Sequence, residues 1–183
     1  ARVSLRCGGE PAGTREVPMV AELPVTMLAC ARLGVIHSEV FGGFSGNAAG
    51  SRIADSGSRV LITVDSYYRS GTLLDHKQNA DIAVKHAEKD GQKVDKVLVW
   101  QRYPGKYSAK TPMVEGRDFF VNDQLKKYYG VRVEPERMNS EDPLFLMYTS
   151  GTTGKPKGCQ HGTGGFLSYV TGTSKFVQDI HPE

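Results

Sequence analysis

Cysteine is scarce: Cys7, Cys30 and Cys159 are the only three in 183 residues, and no two form a CxxC pair. An odd number cannot all be bridged to one another, so a disulfide scaffold is not supported and a reducing, cytoplasmic setting is expected. Long apolar runs are missing too. No stretch approaches the roughly 20 residues needed to span a bilayer, and the N-terminus lacks the basic-then-apolar order of a signal peptide. Neither membrane insertion nor secretion is therefore expected. Charge of one sign does not dominate, since 23 Lys plus Arg stand against 20 Asp plus Glu. The basic residues are scattered rather than striped, which gives no footprint for nucleic acid. Repeats and low-complexity tracts are absent. With 39% apolar and 23% charged residues, the chain has the composition of a folded globular protein.

What is present is an alternation of apolar runs. Residues 24–33 read as a mostly apolar, buried helix with Pro24 near its first turn and Gly34 placed to end it. Residues 35–41 are a β-branched and aromatic run closed by Gly42-Gly43, the pattern of a strand entering a tight loop. Ser45 is placed to cap a short helix ending near Gly57. Residues 59–64 form a nearly continuous apolar run, as in a parallel strand covered on both faces, and stop at Asp65. A polar helix over 79–89 leads to a short strand at 97–100. The order strand, helix, strand predicts right-handed βαβ crossovers in a layered α/β domain with a mostly parallel sheet. Pro104, Gly105, Pro112 and Gly116 mark 101–116 as an irregular excursion before an amphipathic stretch at 118–129. A strand at 143–148 then runs into a glycine-rich loop, with a helix expected from about Thr163.

That loop, Tyr148-Thr149-Ser150-Gly151-Thr152-Thr153-Gly154-Lys155-Pro156-Lys157-Gly158, has the parts needed to hold a polyphosphate. Glycines keep side chains out of the way, exposed backbone N–H groups and short hydroxyls donate, and Lys155 and Lys157 carry charge. It is not a Walker-type P-loop. That pattern, G-x-x-x-x-G-K-[ST], needs four residues between its glycines and a hydroxyl after its lysine, whereas two residues separate Gly151 from Gly154 and Pro156 follows Lys155. Neither 42–46 nor 162–165 reproduces the dinucleotide pattern G-x-G-x-x-G. The competing reading, a polar hairpin with no ligand, leaves this composition without a reason.

The eleven positions 148–158 resemble the signature loop of the adenylate-forming superfamily, which includes acyl-CoA synthetases, luciferases and the adenylation domains of peptide synthetases. Within it, 27–34, 37–45, 52–57 and 163–169 resemble the AMP-forming acetyl-CoA synthetases. The resemblance covers 18–183, as part of the large N-terminal AMP-binding domain, while 1–17 has no clear counterpart there. It implies joining acetate and ATP into acetyl-adenylate and pyrophosphate, then passing the acetyl group to the thiol of CoA. It further implies that Thr149, Ser150, Gly151, Thr152, Thr153, Gly154, Lys155 and Lys157 hold ATP phosphates. Mg2+ would arrive with ATP, and no residue of the chain is assigned to it.

By the same resemblance, Phe41, Gly42 and Gly43 lie along CoA, and Arg69, Ser70, Gly71 and Thr72 follow an R-x-G-R or R-x-G-K phosphate-binding pattern. Arg69 matches it; Thr72 does not, replacing a cation by a hydroxyl. The adenine-binding segment, the ribose-binding Asp, the acetate pocket and the C-terminal domain with its catalytic Lys fall outside the chain, so no catalytic residue is assigned and the chain alone is expected to be inactive. Two alternatives stay open: a propionyl- or other short-chain acyl-CoA synthetase, and a nucleotide-binding relative without the chemistry. Elsewhere the plainer readings are preferred. His37 and His161 are expected to be structural, Trp100 and Phe119-Phe120 to pack, and 126–129 to form a solvated helix face.

Overall fold

The computed structural model describes residues 13–104, 112–150 and 156–181. The elements, in chain order, are β1 (Gly13–Val17), α1 (Glu22–Arg32), β2 (His37–Phe41), α2 (Gly46–Asp55), β3 (Val60–Val64), β4 (Ser66–Arg69), β5 (Thr72–Asp75), α3 (His76–Lys89) and β6 (Lys96–Trp100). Then follow β7 (Asp118–Phe120), α4 (Val121–Lys127), β8 (Pro143–Thr149), β9 (Lys157–Gly162) and α5 (Thr163–Phe176). Seven strands form one sheet in the order β7-β6-β3-β1-β2-β8-β9, parallel throughout except for the last. The expected α/β class with a mostly parallel sheet is the one observed.

From β1 the chain moves one way to β2, then reverses across β1 to reach β3 and continues outward to β6. Right-handed crossovers in opposite directions put their helices on opposite faces of the sheet. The packing agrees. α2 lies against α3, and their Ala49, Ile53, Ala80 and Val84 share a buried cluster with Leu61, Val97 and Val99. Val64, by the two-residue alternation of a strand, faces the other way and meets Leu23 of α1, Tyr67 and Trp100. The α2–α3 contact is close because Gly46 and Gly50 present no side chain. A Cβ on Gly46 would sit 2.6 Å from Asn79 O, and one on Gly50 2.6 Å from Ala83 O.

Caps follow from sequence. Ser45 Oγ accepts from Ala48 N at 3.3 Å at the start of α2, and Asp75 Oδ1 accepts from Gln78 N at 3.0 Å at the start of α3. Asp65, buried at the end of β3, binds the chain where it turns away. Its carboxylate accepts from Ser66 N at 2.6 Å and Arg102 N at 3.0 Å, while its carbonyl accepts from His76 N at 3.0 Å.

Several expectations need correcting. The helix at 24–33 is not buried: only Thr26 is, and Leu28 is 71% exposed, because one face of α1 meets the sheet and no described residue covers the other. α3 starts at His76 rather than 79 because the Asp75 cap fixes its first turn. The helix expected from about Thr163 begins there, but an unforeseen strand precedes it: β9 pairs antiparallel with β8 at the edge of the sheet.

Candidate functional site

In open parallel sheets, ligands collect outside the carboxyl ends of the strands where the winding reverses. Here the reversal is at β1, and a pocket of about 240 Å3 lies there. Pro18 and Met19 enter it from the end of β1, Phe41, Gly42 and Gly43 from the end of β2, and Tyr67, Tyr68 and Arg69 from the hairpin that follows β3. Residues as far apart in sequence as Pro18 and Arg69 thus meet because three parallel strands end together.

The glycines are needed for space. A Cβ on Gly42 would lie 3.0 Å from Pro18 N, and one on Gly43 would overlap the Phe41 ring and lie 2.9 Å from Arg69 Nη1. Tyr67 Oη donates to Gly42 O at 3.0 Å and its ring stands edge-on to His76 at 5.2 Å, which fixes the hairpin to the loop after β2.

β4 and β5 pair antiparallel with Arg69 opposite Thr72. The two residues between them have positive φ, 49° at Ser70 and 78° at Gly71, as a two-residue type I′ turn requires. Ser-Gly is thus a turn signal, and the tight turn brings the side chains at 69 and 72 beside each other on the exposed tip. Two cations at these places would form one anion clamp; this chain has one cation and a hydroxyl.

The candidate phosphate loop lies between β8 and β9, in which Thr149 pairs with Lys157. Thr149, Ser150 and Lys157 are all exposed at the end of the strand pair where the loop leaves it. Gly151, Thr152, Thr153, Gly154 and Lys155 lie outside the described residues. Tyr148, the residue before Thr149, ties the hairpin to α2: its hydroxyl donates to Asp55 Oδ2 at 2.6 Å. Burial pushes the Tyr148 phenol well above its usual range, and the Asp55 carboxylate pushes it further, so it stays a neutral donor.

Arg52 lies between the two regions, with its guanidinium 4.3 Å from the centre of the Phe44 ring and 5.5 Å from that of Tyr148. Burial lowers its basicity from the ordinary arginine range. It opens the 52–57 stretch that resembles the acetyl-CoA synthetases, but no binding role was assigned to it there, and its place beside the two regions comes from the fold.

The remaining candidates have structural roles. His37 is buried, stacked on Phe145 at 5.7 Å, and His161 stacks on the other side of the hairpin pair at 4.5 Å from Phe145. Ser51, His86 and Asp90 come together, with Ser51 Oγ 3.0 Å and Asp90 Oδ2 3.5 Å from His86 Nε2. A nucleophilic triad needs the acid on the other ring nitrogen, so this is not one. Phe120 packs on the main core, and α4 has no buried residue. Among the described residues no group of three or more His, Cys, Asp or Glu could hold a metal ion, and no helix is long and apolar enough to cross a membrane.

A parallel sheet with a reversal pocket and a glycine-hydroxyl-lysine hairpin defines a nucleotide-binding α/β domain, and a model of the AMP-binding enzyme family matches residues 17–182. The chain belongs to that family. It is similar to the acetyl-coenzyme A synthetase of Marinobacter nauticus, 48% identical over 165 residues, covering 90% of this chain and 24% of that protein. The acetyl-coenzyme A synthetases of Citrobacter koseri and Yersinia pestis are each 47% identical, over 167 and 166 residues, with 91% of this chain and 24% of each relative covered. The chain thus spans about a quarter of the length of the curated relatives it matches.

Proposed function

We propose that this chain is part of the N-terminal AMP-binding domain of an acetate–CoA ligase. Such an enzyme activates acetate with ATP to acetyl-adenylate and pyrophosphate and then transfers the acetyl group to CoA in the cytoplasm. One observation carries the reading: Phe41, Gly42, Gly43 and Arg69, distant in sequence, share the reversal-point pocket. The identity of 48% to an acetyl-coenzyme A synthetase supports acetate as the acid.

In this reading Gly42 and Gly43 let a nucleotide approach the backbone, Phe41 offers a ring face, and Arg69 supplies a forked donor for a phosphate. The 3′-phosphate or diphosphate of CoA is the anion meant. Ser70 and Gly71 shape the turn that presents Arg69, and Thr72 donates a hydroxyl beside it. Thr149, Ser150 and Lys157, with Gly151, Thr152, Thr153, Gly154 and Lys155, hold the β- and γ-phosphates of ATP, and Mg2+ is carried on those phosphates. Lysine charge and hydroxyl donors offset the charge that gathers on pyrophosphate as it leaves. The described residues position and neutralise; none acts as a general acid or base.

The test is acetate-dependent ATP–pyrophosphate exchange by the full-length gene product. Exchange supported by acetate, with Arg69→Ala weakening CoA far more than ATP and Lys157→Ala weakening ATP, is the expected result. Exchange seen only with larger or aromatic acids refutes the acetate assignment. Propionate is the competitor to include, since one methylene gives only about 1–3 kcal/mol of discrimination.

A further inference from the structure

A second pocket, of about 340 Å3, lies beside the first, between the carboxyl ends of β2 and β8. Its walls are mainly apolar, built by Met19, Leu23, Val40, Phe41 and Met147. Arg52 lies in this lining although it is only 7% exposed. Nη1 of Arg52 donates to Ala48 O at 2.6 Å. Nε is buried with no acceptor, and among the described residues the guanidinium makes no ion pair. Asp55, three residues on, makes no ion pair with it and instead accepts from Tyr148. A desolvated guanidinium without a counter-charge is unfavourable, by several kcal/mol for an isolated ion. The guanidinium lies 4.3 Å from the centre of the Phe44 ring and 5.5 Å from that of Tyr148, and the edge formed by Nε and Nη2 is the one suited to receive two parallel oxygens.

From this geometry we infer that the pocket binds a monoanionic carboxylic acid with an apolar body, its carboxylate on the free edge of Arg52 and its chain among Met19, Leu23, Val40 and Met147. The size suits such a ligand, since small-molecule pockets begin at about 300 Å3. A polyphosphate suits it poorly: most of the wall is apolar, and Glu39 in the lining adds a negative charge that opposes a multiply charged ligand. The site adjoins the phosphate hairpin through Met147 and Tyr148 of β8, and it does not depend on which acid the enzyme activates. Met19 is 86% exposed and lines both pockets, so a side chain free to move stands at the mouth.

The experiment is calorimetric titration of the full-length gene product with hexanoate, hexan-1-ol, acetate and pyrophosphate, without ATP or CoA. Hexanoate is expected to bind at least about tenfold more tightly than hexan-1-ol, because only the acid can use the charge-assisted pair. Arg52→Met keeps the stem that packs on Phe44 and Tyr148 and should lower hexanoate to the level of the alcohol. Arg52→Lys keeps the charge without the fork and should fall between. Met147→Trp fills the pocket from a partly exposed strand position and should abolish hexanoate binding with Arg52 in place. This variant also decides the matter if Arg52→Met does not fold. Unchanged hexanoate affinity in Arg52→Met overturns the proposal, as does pyrophosphate binding more tightly than hexanoate in an Arg52-dependent way. Loss of thermal stability in Arg52→Met with no change in binding would mark Arg52 as a packing residue and likewise overturn it.

Discussion

Lys77 is fully buried, and its replacement by Met is expected to be the most destabilising conservative change in the described structure. Its ammonium donates to Asp81 Oδ1 at 2.6 Å, to Pro112 O at 2.9 Å and pairs with Asp118 Oδ2 at 2.9 Å. Arg117 completes the group, with Nε 2.5 Å from Asp118 Oδ1 and Nη2 2.8 Å from Asp81 Oδ1. Two cations and two carboxylates therefore balance where α3, the segment before β7 and β7 itself meet. Met fills the volume of the lysine stem, so little cavity is left and the effect isolates the charge. Breaking a buried pair by removing one partner costs about 3–5 kcal/mol. Asp118 keeps Arg117 and the Val114 N–H at 2.9 Å, which places the expected loss at the lower end, about 3 kcal/mol. For a chain of this size that corresponds to a fall in Tm of roughly 6–12 °C. Thermal and urea unfolding followed by circular dichroism read it. Adding Asp118→Asn to Lys77→Met should recover part of the loss, because the uncompensated charge is then removed. A single-variant loss under about 1 kcal/mol, or a double variant whose losses simply add, refutes the claim that the balanced buried charges hold this corner.

Acid titration gives a second check on the same corner. Burial alone would raise the Asp118 carboxyl, but Arg117, the Val114 N–H and Lys77 hold it below its usual value. A depressed carboxyl stabilises the fold above its unfolded-state pKa of about 3.9 and loses that contribution as pH falls through the folded value. Stability from this group should therefore be level from neutral pH to about pH 5 and decline below about pH 4, a decline that Asp118→Asn removes. At the α2–α3 contact, Gly50→Ala puts a Cβ 2.6 Å from Ala83 O and from His86 Cβ. Overpacking of about 1–3 kcal/mol, less about 1 kcal/mol of helix propensity, should lower the urea midpoint with the m-value unchanged. At the hairpin tip, Thr72→Lys adds a cation directly across from Arg69 and should tighten CoA about tenfold at low salt, fading as salt rises; ATP affinity should not follow.

Much of the fold was legible from apolar runs. Residues 59–64 and 97–100 became adjacent parallel strands because their β-branched side chains pack on both faces of a covered sheet. β1 was not legible, although it is the central strand. Its sequence Gly-Thr-Arg-Glu-Val has no apolar run, and its buried Thr14 is held by a hydroxyl bond to Ser58 Oγ at 2.7 Å, a partner 44 residues away. β9 is polar because it is an edge strand, and edge strands need no second apolar face.

The glycine, hydroxyl and lysine composition of 148–158 and its departure from a Walker pattern were legible from local spacing alone, since both are properties of a few consecutive positions. So was the Ser70-Gly71 turn, whose φ signs Gly and a small polar residue tolerate. That Gly43 lies against Arg69, that Tyr148 anchors the hairpin to α2, and that Arg52 is buried without a counter-ion among the described residues were decided by the tertiary structure. These depend on which strands end side by side, and strand order follows from the handedness of the crossovers and the packing of whole faces, information spread over the chain rather than held in any motif.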